Sequence, residues 1–292
     1  MTTPTYAPAE LNVYSAPAEL SRVTRALRGT GRKIAFVPTM GALHEGHREL
    51  LRRAKRIPNT VVVASIFVNP LQFNDSADLE RYPRPLETDL DACRDEGVNI
   101  VFTPSDVDLY PPGVQTTVQP GQLGSELEGA SRPGHFAGVL TVVAKLFNIV
   151  RPDYALFGEK DYQQLTLIKQ MVADLNMEVS VVGIPTVREY DGLALSSRNA
   201  HLDAEARQAA VALSAALTAG AHVSARGADA VLAAAREVLD SATGVAVDYL
   251  ELRGTDLGQA PASGDARLLI AATVGGTRLI DNVPVLLGTE SQ

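Results

Sequence analysis

A chain of 292 residues, 46% hydrophobic and 21% charged, is long enough to bury a full core and to divide into two domains. Its net charge of −8 gives no support for a nucleic-acid partner, and its single cysteine, Cys93, excludes an internal disulfide or a cysteine-rich metal site. No run reaches the roughly 18 to 20 apolar residues that span a bilayer, and no basic segment leads into an apolar one near Met1, so a cytoplasmic protein without membrane attachment is expected.

Residues 1 to about 14 read as a loosely held lead-in. Ser15 then stands where it can cap a helix with Leu20, Val23 and Leu27 on one face and Gly29 just past its end. Lys33-Ile-Ala-Phe-Val37 is a short apolar run rich in β-formers, which predicts a buried strand ended by Pro38. Gly41 and Gly46 let the backbone turn tightly, and from His47 onward Leu50, Leu51 and Ala54 follow helical spacing. His44-x-Gly46-His47 should therefore sit where a strand's carboxyl end passes into a helix N-terminus. Free N–H groups and the helix dipole make such a start a ready anion site. Two imidazoles three residues apart can both face one anion there, and a pair of donors at a phosphate-sized site suits charge developing on a nucleotide's phosphates.

Thr60 to Phe67 is Val/Ile-rich and reads as a strand buried on both faces, leading into Asn69 and Gln72 at a second strand end. Leu86 to Glu96 reads as helix, with Cys93 a structural residue on it, and Asn99 to Phe102 as strand. The stretch from Pro104 to Gly138 is rich in proline and glycine, and a long irregular loop of this kind is usually functional or mobile. A short strand is expected at Thr116 to Val118, with Arg132 and His135 as the anion-facing candidates of the loop. An apolar helix over Val139 to Val150 and a strand over Tyr154 to Phe157 lead to Gly158-Glu159-Lys160-Asp161, which opens a further helix to Leu175. Lys160 at that start fits a phosphate, and Asp161 can cap the helix or accept from a ribose hydroxyl. Glu178 to Val182 is the next strand.

Beyond it the texture changes to two Ala-rich helices, Asp203 to Ala221 and Ala228 to Asp240, followed by strands at Val245 to Leu252, Arg267 to Val274 and Arg278 to Val283. The tail after Gly288 reads as frayed. Strand–loop–helix alternation through the first 180 residues argues an α/β, Rossmann-like doubly wound parallel sheet, with its ligand crevice outside the strands' carboxyl ends. Strands clustered after helices suggest a smaller C-terminal α+β domain closing over the active site. The expected domains are 1–186 and 187–292, with the linker between Gly183 and Arg188.

Ser196-Ser197-Arg198 adds two hydroxyls and a fork of donors on a loop at this boundary. Walker A spacing and the dinucleotide Gly-x-Gly-x-x-Gly are absent, as is a Ser-His-Asp order, so covalent catalysis is not indicated. What remains is phosphate chemistry by positioning and electrostatics, as in nucleotidyl transfer. ATP arrives with Mg²⁺, held largely by its phosphates. Asp89 is a candidate protein ligand, although a lone carboxylate on a solvated helix describes it better.

Four segments together, Phe36-Val-Pro-Thr-Met-Gly-Ala-Leu-His-Glu-Gly-His47, Phe67-Val-Asn-Pro-Leu-Gln-Phe73, Gly158-Glu-Lys-Asp-Tyr-Gln-Gln164 and Leu195-Ser-Ser-Arg-Asn199, resemble the pantothenate synthetase (pantoate–β-alanine ligase) family over nearly the whole chain. The His-x-Gly-His element alone resembles only the wider nucleotidyltransferase superfamily. The resemblance implies two steps: ATP and pantoate give pantoyl adenylate and pyrophosphate, then the amine of β-alanine displaces AMP. It implies that His44, His47 and Lys160 handle the triphosphate and the pentacoordinate α-phosphate, and that Ser196, Ser197 and Arg198 form a phosphate-binding loop. Pro38, Thr39, Met40, Gly41, Gly158, Asp161, Val187 and Leu195 match nucleotide-contacting positions. Gln72 and Gln164 match those that hold pantoate, with Asn69 close by and Arg132 and His135 on the substrate side. Relatives with adjacent acids at a magnesium site differ from this chain, where Thr88 precedes Asp89. The family is typically homodimeric. Two other readings compete: a nucleotidyltransferase whose product retains the nucleotide, and a sensor that binds ATP without turning it over.

Overall fold

The computed structural model describes residues 6–288. The expected frayed tail beyond Gly288, and the first five residues of the lead-in, lie outside the described residues. The chain divides into two compact units, Met1–Glu159 with Leu167–Ile184, and Lys160–Thr166 with Pro185–Gln292.

The first unit carries a six-stranded sheet in the order β1-β4-β3-β2-β5-β6, from strands β1 (Asn12–Tyr14), β2 (Lys33–Thr39), β3 (Thr60–Ile66), β4 (Ile100–Phe102), β5 (Tyr154–Gly158) and β6 (Ser180–Ile184). All of its pairings are parallel. Parallel strands need crossovers and bury both faces. The helices that supply these are α1 (Pro17–Gly29), α2 (Glu45–Lys55), α3 (Ser76–Arg81), α4 (Leu86–Asp95), α5 (Asp106–Leu109), α6 (Glu128–Ser131), α7 (His135–Val150) and α8 (Tyr162–Asp174), the last beginning in the second unit. Ile34 to Val37 and Val61 to Ala64 are accordingly at most 1% exposed. One side of the sheet packs on Leu50, Leu51 and Ala54 of α2. Elsewhere Phe147 of α7 meets Phe36 and Phe157 edge to face at 6.4 Å between ring centres.

Strand β2 lies between β3 and β5, so the chain builds outward from β2 on one flank and restarts at β5 on the other. The loop after β2 and the Gly158–Glu159 end of β5 therefore flank the point where the strand order reverses, the ligand position of doubly wound sheets. This is the α/β parallel sheet the alternation predicts.

The second unit is α+β: α9 (Ala204–His222) and α10 (Ala228–Ser241) pack on an antiparallel sheet in the order β7-β8-β9, with β7 (Val245–Gly254), β8 (Gly264–Val274) and β9 (Thr277–Leu287). Its core runs through Leu213, Leu217, Val231, Leu268 and Ile270. A Cβ on Gly220 would stand 2.8 Å from Leu268 Cδ2 and 2.9 Å from the Val231 carbonyl, which is why the helix pair can sit this close to β8.

Several local expectations are corrected. Residues 12–14 are strand β1 and not part of a loose lead-in: the Asn12 N–H donates to the Asn99 carbonyl and the Thr103 N–H to that of Tyr14. Ser15 does not cap α1; Ala16 holds that position without a side-chain bond, and Pro17 in the first turn supplies a pre-set φ instead. Pro38 does not end β2. The Thr39 carbonyl accepts from Phe67 in the β3 direction, so Pro38 faces β5, whose pairing with β2 stops at Phe36, and its missing N–H is not required. Residues 116–118 are not a strand; the Val118 N–H donates to Thr141 Oγ1. Helix α7 begins at His135, four residues before the expected Val139, because Gly134 at φ +83° turns the chain into it. The stretch 104–138 also holds α5 and α6, and α3 has no counterpart among the expected elements.

Candidate active site

The loop after β2 is held by its own side chains. His44 is the N-cap of α2, and its Nδ1 accepts the Gly46 N–H at 3.1 Å. The His44 N–H donates in turn to His47 Nδ1 at 3.3 Å, and the two rings lie 4.1 Å apart between centres, tilted by 36°. An imidazole nitrogen that accepts an N–H carries no proton. Both histidines thus hold their single proton on Nε2, the nitrogen farther from the backbone.

Asp89 of α4 closes the same loop. Its carboxylate accepts the Ala42 N–H at 2.9 Å and the Leu43 N–H at 2.7 Å. The side chain is buried, which corrects the solvated-helix description. Gly41 sits at φ +82°, where a Cβ would come within 2.8 Å of Asp89 Oδ2, so only glycine allows the carboxylate to approach this closely. Among the described residues no group of three or more His, Cys, Asp or Glu side chains could hold a metal ion. Each Asp89 oxygen accepts one backbone N–H and Thr88 stands beside it, so among the described residues Asp89 is a lone carboxylate that holds the loop and not part of a cluster of metal-binding side chains. Cys93 on the same helix is fully buried, and burial pushes its thiol up to about 12, with the Asp89 charge adding to the effect. It is structural, as expected.

A second cluster surrounds Gln72 in the 3-10 turn Pro70–Gln72 after β3. Gln72 Nε2 donates to Met40 Sδ at 3.2 Å, which brings the end of β3 against the signature loop. Its Oε1 accepts from Asn69 Nδ2 at 3.0 Å. Asn69 also donates to the Gly138 carbonyl and accepts from Leu71 N–H and the Tyr110 hydroxyl. The Tyr110 phenol is pushed above its ordinary value, chiefly by burial and then by the Asp106 charge, so it stays a donor. Arg132 and His135 meet at the Gln72 main chain. His135 Nδ1 donates to the Gln72 carbonyl at 2.8 Å, Arg132 Nη2 donates to it at 3.2 Å, and Arg132 Nη1 lies 3.2 Å from His135 Nε2. The two expected anion-facing groups are thereby drawn onto Gln72. Thr39 Oγ1 donates to the Ser65 carbonyl and accepts from the Gly41 N–H, tying β2 to β3 below the loop. Gly158 ends β5.

In the second unit, Lys160, Ser196 and Arg198 line one small cavity together with Asn199, Arg278 and Asp281. Lys160 and Asp161 close the short turn before α8 and form an ion pair at 3.5 Å. Gln164, in the first turn of α8, is half-buried. Val187 and Leu195 face each other across a short hairpin, the Leu195 N–H donating to the Val187 carbonyl. This hairpin delivers Ser196, whose Oγ accepts the Arg198 N–H, and Ser197 opens the 3-10 turn Ser197–His201. Sequence reasoning misses Tyr110 and Arg188. Arg188 forms a bidentate pair with Asp281 at 2.6 and 3.0 Å; a strand residue such as Asp281 leaves no motif by which the pair could be found.

A doubly wound parallel sheet whose switch-point loop is capped by two imidazoles is the scaffold of a nucleotide-activating enzyme. Residues 12–284 match the family model described as pantoate–β-alanine ligase. The chain is 64% identical to the pantothenate synthetase of Mycolicibacterium smegmatis, over 99% of this chain and 92% of the relative. It is 65% identical to that of Saccharopolyspora erythraea, over 98% and 95%. Among solved structures, a pantothenate synthetase from Thermus thermophilus superposes with a TM-score of 0.86 at 44% identity, covering 93% of this chain and 98% of that one. The pantoate–β-alanine ligase of Francisella tularensis, solved with β,γ-ATP and β-alanine, gives 0.77 at 36% identity, covering 94% and 97%. The chain belongs to the pantoate–β-alanine ligase family, and its reaction is the ATP-dependent joining of pantoate and β-alanine to pantothenate through a pantoyl adenylate, releasing AMP and pyrophosphate.

Proposed function

We propose that His44, His47, Lys160, Ser196, Ser197 and Arg198 carry the phosphate chemistry of this reaction. The pair of Nε2-protonated imidazoles at the N-terminus of α2 is the observation that supports it most directly. A pantoate carboxylate oxygen bonds to the α-phosphorus of ATP while the bond to the bridging oxygen of pyrophosphate breaks. Negative charge gathers on the phosphate oxygens, and neutral N–H donors fixed beforehand stabilise it without reorganisation. Lys160 and Arg198, with the hydroxyls of Ser196 and Ser197, add cationic and neutral donors for the departing pyrophosphate. In the second step the amine of β-alanine attacks the acyl carbon, AMP leaves with the bonding electrons, and the amine's proton is lost.

Pro38, Thr39, Met40, Gly41, Gly158, Asp161, Val187 and Leu195 are assigned to the nucleotide. Gln72 and Gln164 are assigned to pantoate, with Asn69, Arg132 and His135 setting the orientation and main chain of Gln72. The Met40–Gln72 contact supports an acid bound next to the nucleotide loop. Magnesium enters as part of the substrate, MgATP, and not as a resident ion. By the family resemblance the enzyme acts as a cytoplasmic homodimer, and no described helix is long and apolar enough to cross a membrane.

The test is product release from ATP and pantoate with and without β-alanine. Pyrophosphate should form with pantoate alone, and AMP and pantothenate only when β-alanine is added. ATP binding without either product would mark a sensor, and a product that keeps the nucleotide would mark a different transferase.

A further inference from the structure

Strand β9 carries two adjacent polar residues that are both buried: Asp281 is 4% exposed and Asn282 is 3% exposed. Asn282 Nδ2 donates to the Lys160 carbonyl at 2.9 Å, and its Oδ1 accepts from Arg267 Nε at 2.7 Å. Arg267, itself 6% exposed, lies 3.9 Å over the ring of Tyr162, and the Tyr162 hydroxyl donates to the Thr255 carbonyl. On the other side Asp281 Oδ1 accepts the Asn282 N–H at 2.7 Å, and both its oxygens take the Arg188 fork. Arg188 also donates to the carbonyls of Gly192 and Asn282. One chain of bonds, buried at Asp281, Asn282 and Arg267 and half-buried at Arg188, therefore runs from the hairpin that delivers Ser196–Arg198, through β9, to the main chain of Lys160.

Such a chain does not recommend itself for stability. A buried ion pair recovers little more than its desolvation cost, and apolar residues of similar size would serve the core as well or better. What it supplies is a fixed relation between two short segments. Lys160 sits in a 3-10 turn of three residues, and Ser196 at the foot of a hairpin. We propose that Asn282 is a positioning residue for adenylation: by holding the Lys160 carbonyl, with Asp281 and Arg188 holding the hairpin, it sets the ammonium of Lys160 against Ser196 and Arg198. The proposal rests on the phosphate role given above to Lys160.

Asn282→Asp is the informative change. It keeps the shape and the acceptor for Arg267 but replaces the donor to the Lys160 carbonyl by an oxygen that repels it. Single-turnover pyrophosphate release at saturating ATP should fall on the order of 10- to 10²-fold, the scale of a misplaced catalytic group, while KM for pantoate stays unchanged. Val231→Ala, in the core of the same unit and distant in role, serves as a comparator of lowered thermal midpoint and should keep the wild-type rate. In a Lys160→Ala background Asn282→Asp should cost nothing further, because it acts through Lys160. A wild-type rate in Asn282→Asp, a loss that multiplies with that of Lys160→Ala, or an equal loss in Val231→Ala would each overturn the proposal. A wild-type rate in Lys160→Ala would instead bring down the role of Lys160 itself, and the positioning argument with it.

Discussion

His44 and His47 each spend Nδ1 on a backbone N–H, so each is locked in one tautomer and one ring orientation before any substrate arrives. An imidazolium would need a proton on the nitrogen that is accepting, and the cap of α2 would open. The histidines are thus preorganised donors. His47→Ala removes one donor and Lys160→Ala one cation, and each should lower adenylation on the order of 10²- to 10³-fold, as loss of a charge-stabilising group does. The fold should be kept, because neither side chain belongs to the apolar core, while His47→Ala also gives up the cap bond to the His44 N–H and should lower the thermal midpoint modestly. Pyrophosphate release with matched circular dichroism spectra checks both halves, and near-wild-type rates would remove the assigned roles.

The elements position these residues through a few close contacts. Helix α7 presses on the turn that carries Gln72, and the contact is made at Gly138. A Cβ there would fall 2.2 Å from the Leu71 carbonyl oxygen and 2.7 Å from the Gln72 nitrogen. Gly138→Ala must separate α7 from the turn, at about 1–3 kcal/mol for overpacking a tight site, and would strain the Asn69 bond to the Gly138 carbonyl. Lower thermal stability together with a raised KM for pantoate, and KM for ATP less affected, is the expected result. A stability loss with unchanged kinetics would show that the turn does not transmit the strain to Gln72.

The same elements show how far local sequence reaches. Strands β2, β3 and β5 are legible because a two-face-buried strand is a run of apolar β-formers, and the signature loop because histidines and glycines stand in a fixed order. Helix α7 reads four residues short because His135 and Phe136 are buried by tertiary packing, which no local pattern announces. Residues 116–118 have strand composition, but Val118 bonds to a side chain on α7, a non-local choice. Asp89 looks like an ordinary helical carboxylate because its partners, Ala42 and Leu43, lie far back in the chain and offer only backbone. Long-range polar bonds are the part of the site that has no local sequence signature.

Across the molecule, charge pairing makes both units sensitive to acid in the same direction. In the first unit Glu96, whose side chain is 9% exposed, accepts from Arg48 at 2.6 Å and from Arg52 at 2.8 and 2.9 Å. Burial works against its ionisation, but the two guanidinium groups outweigh it and hold the carboxyl below its ordinary 4.5. In the second unit Arg207 donates to Asp191 and holds it below its ordinary 3.8. A carboxylate depressed on folding contributes stability that is complete above its unfolded value and is lost as pH falls through the folded one. Thermal midpoints should therefore not fall on account of these groups between pH 7 and about 5, and should drop as pH falls below about 4.5. Glu96→Gln should melt below wild type at pH 7, and the gap should close as pH falls below the ordinary 4.5 and the wild-type carboxyl is itself protonated. Melts of the two proteins across this range decide the matter. A gap that does not narrow as pH falls would mean that Glu96 matters for packing, not for the charge shared with Arg48 and Arg52.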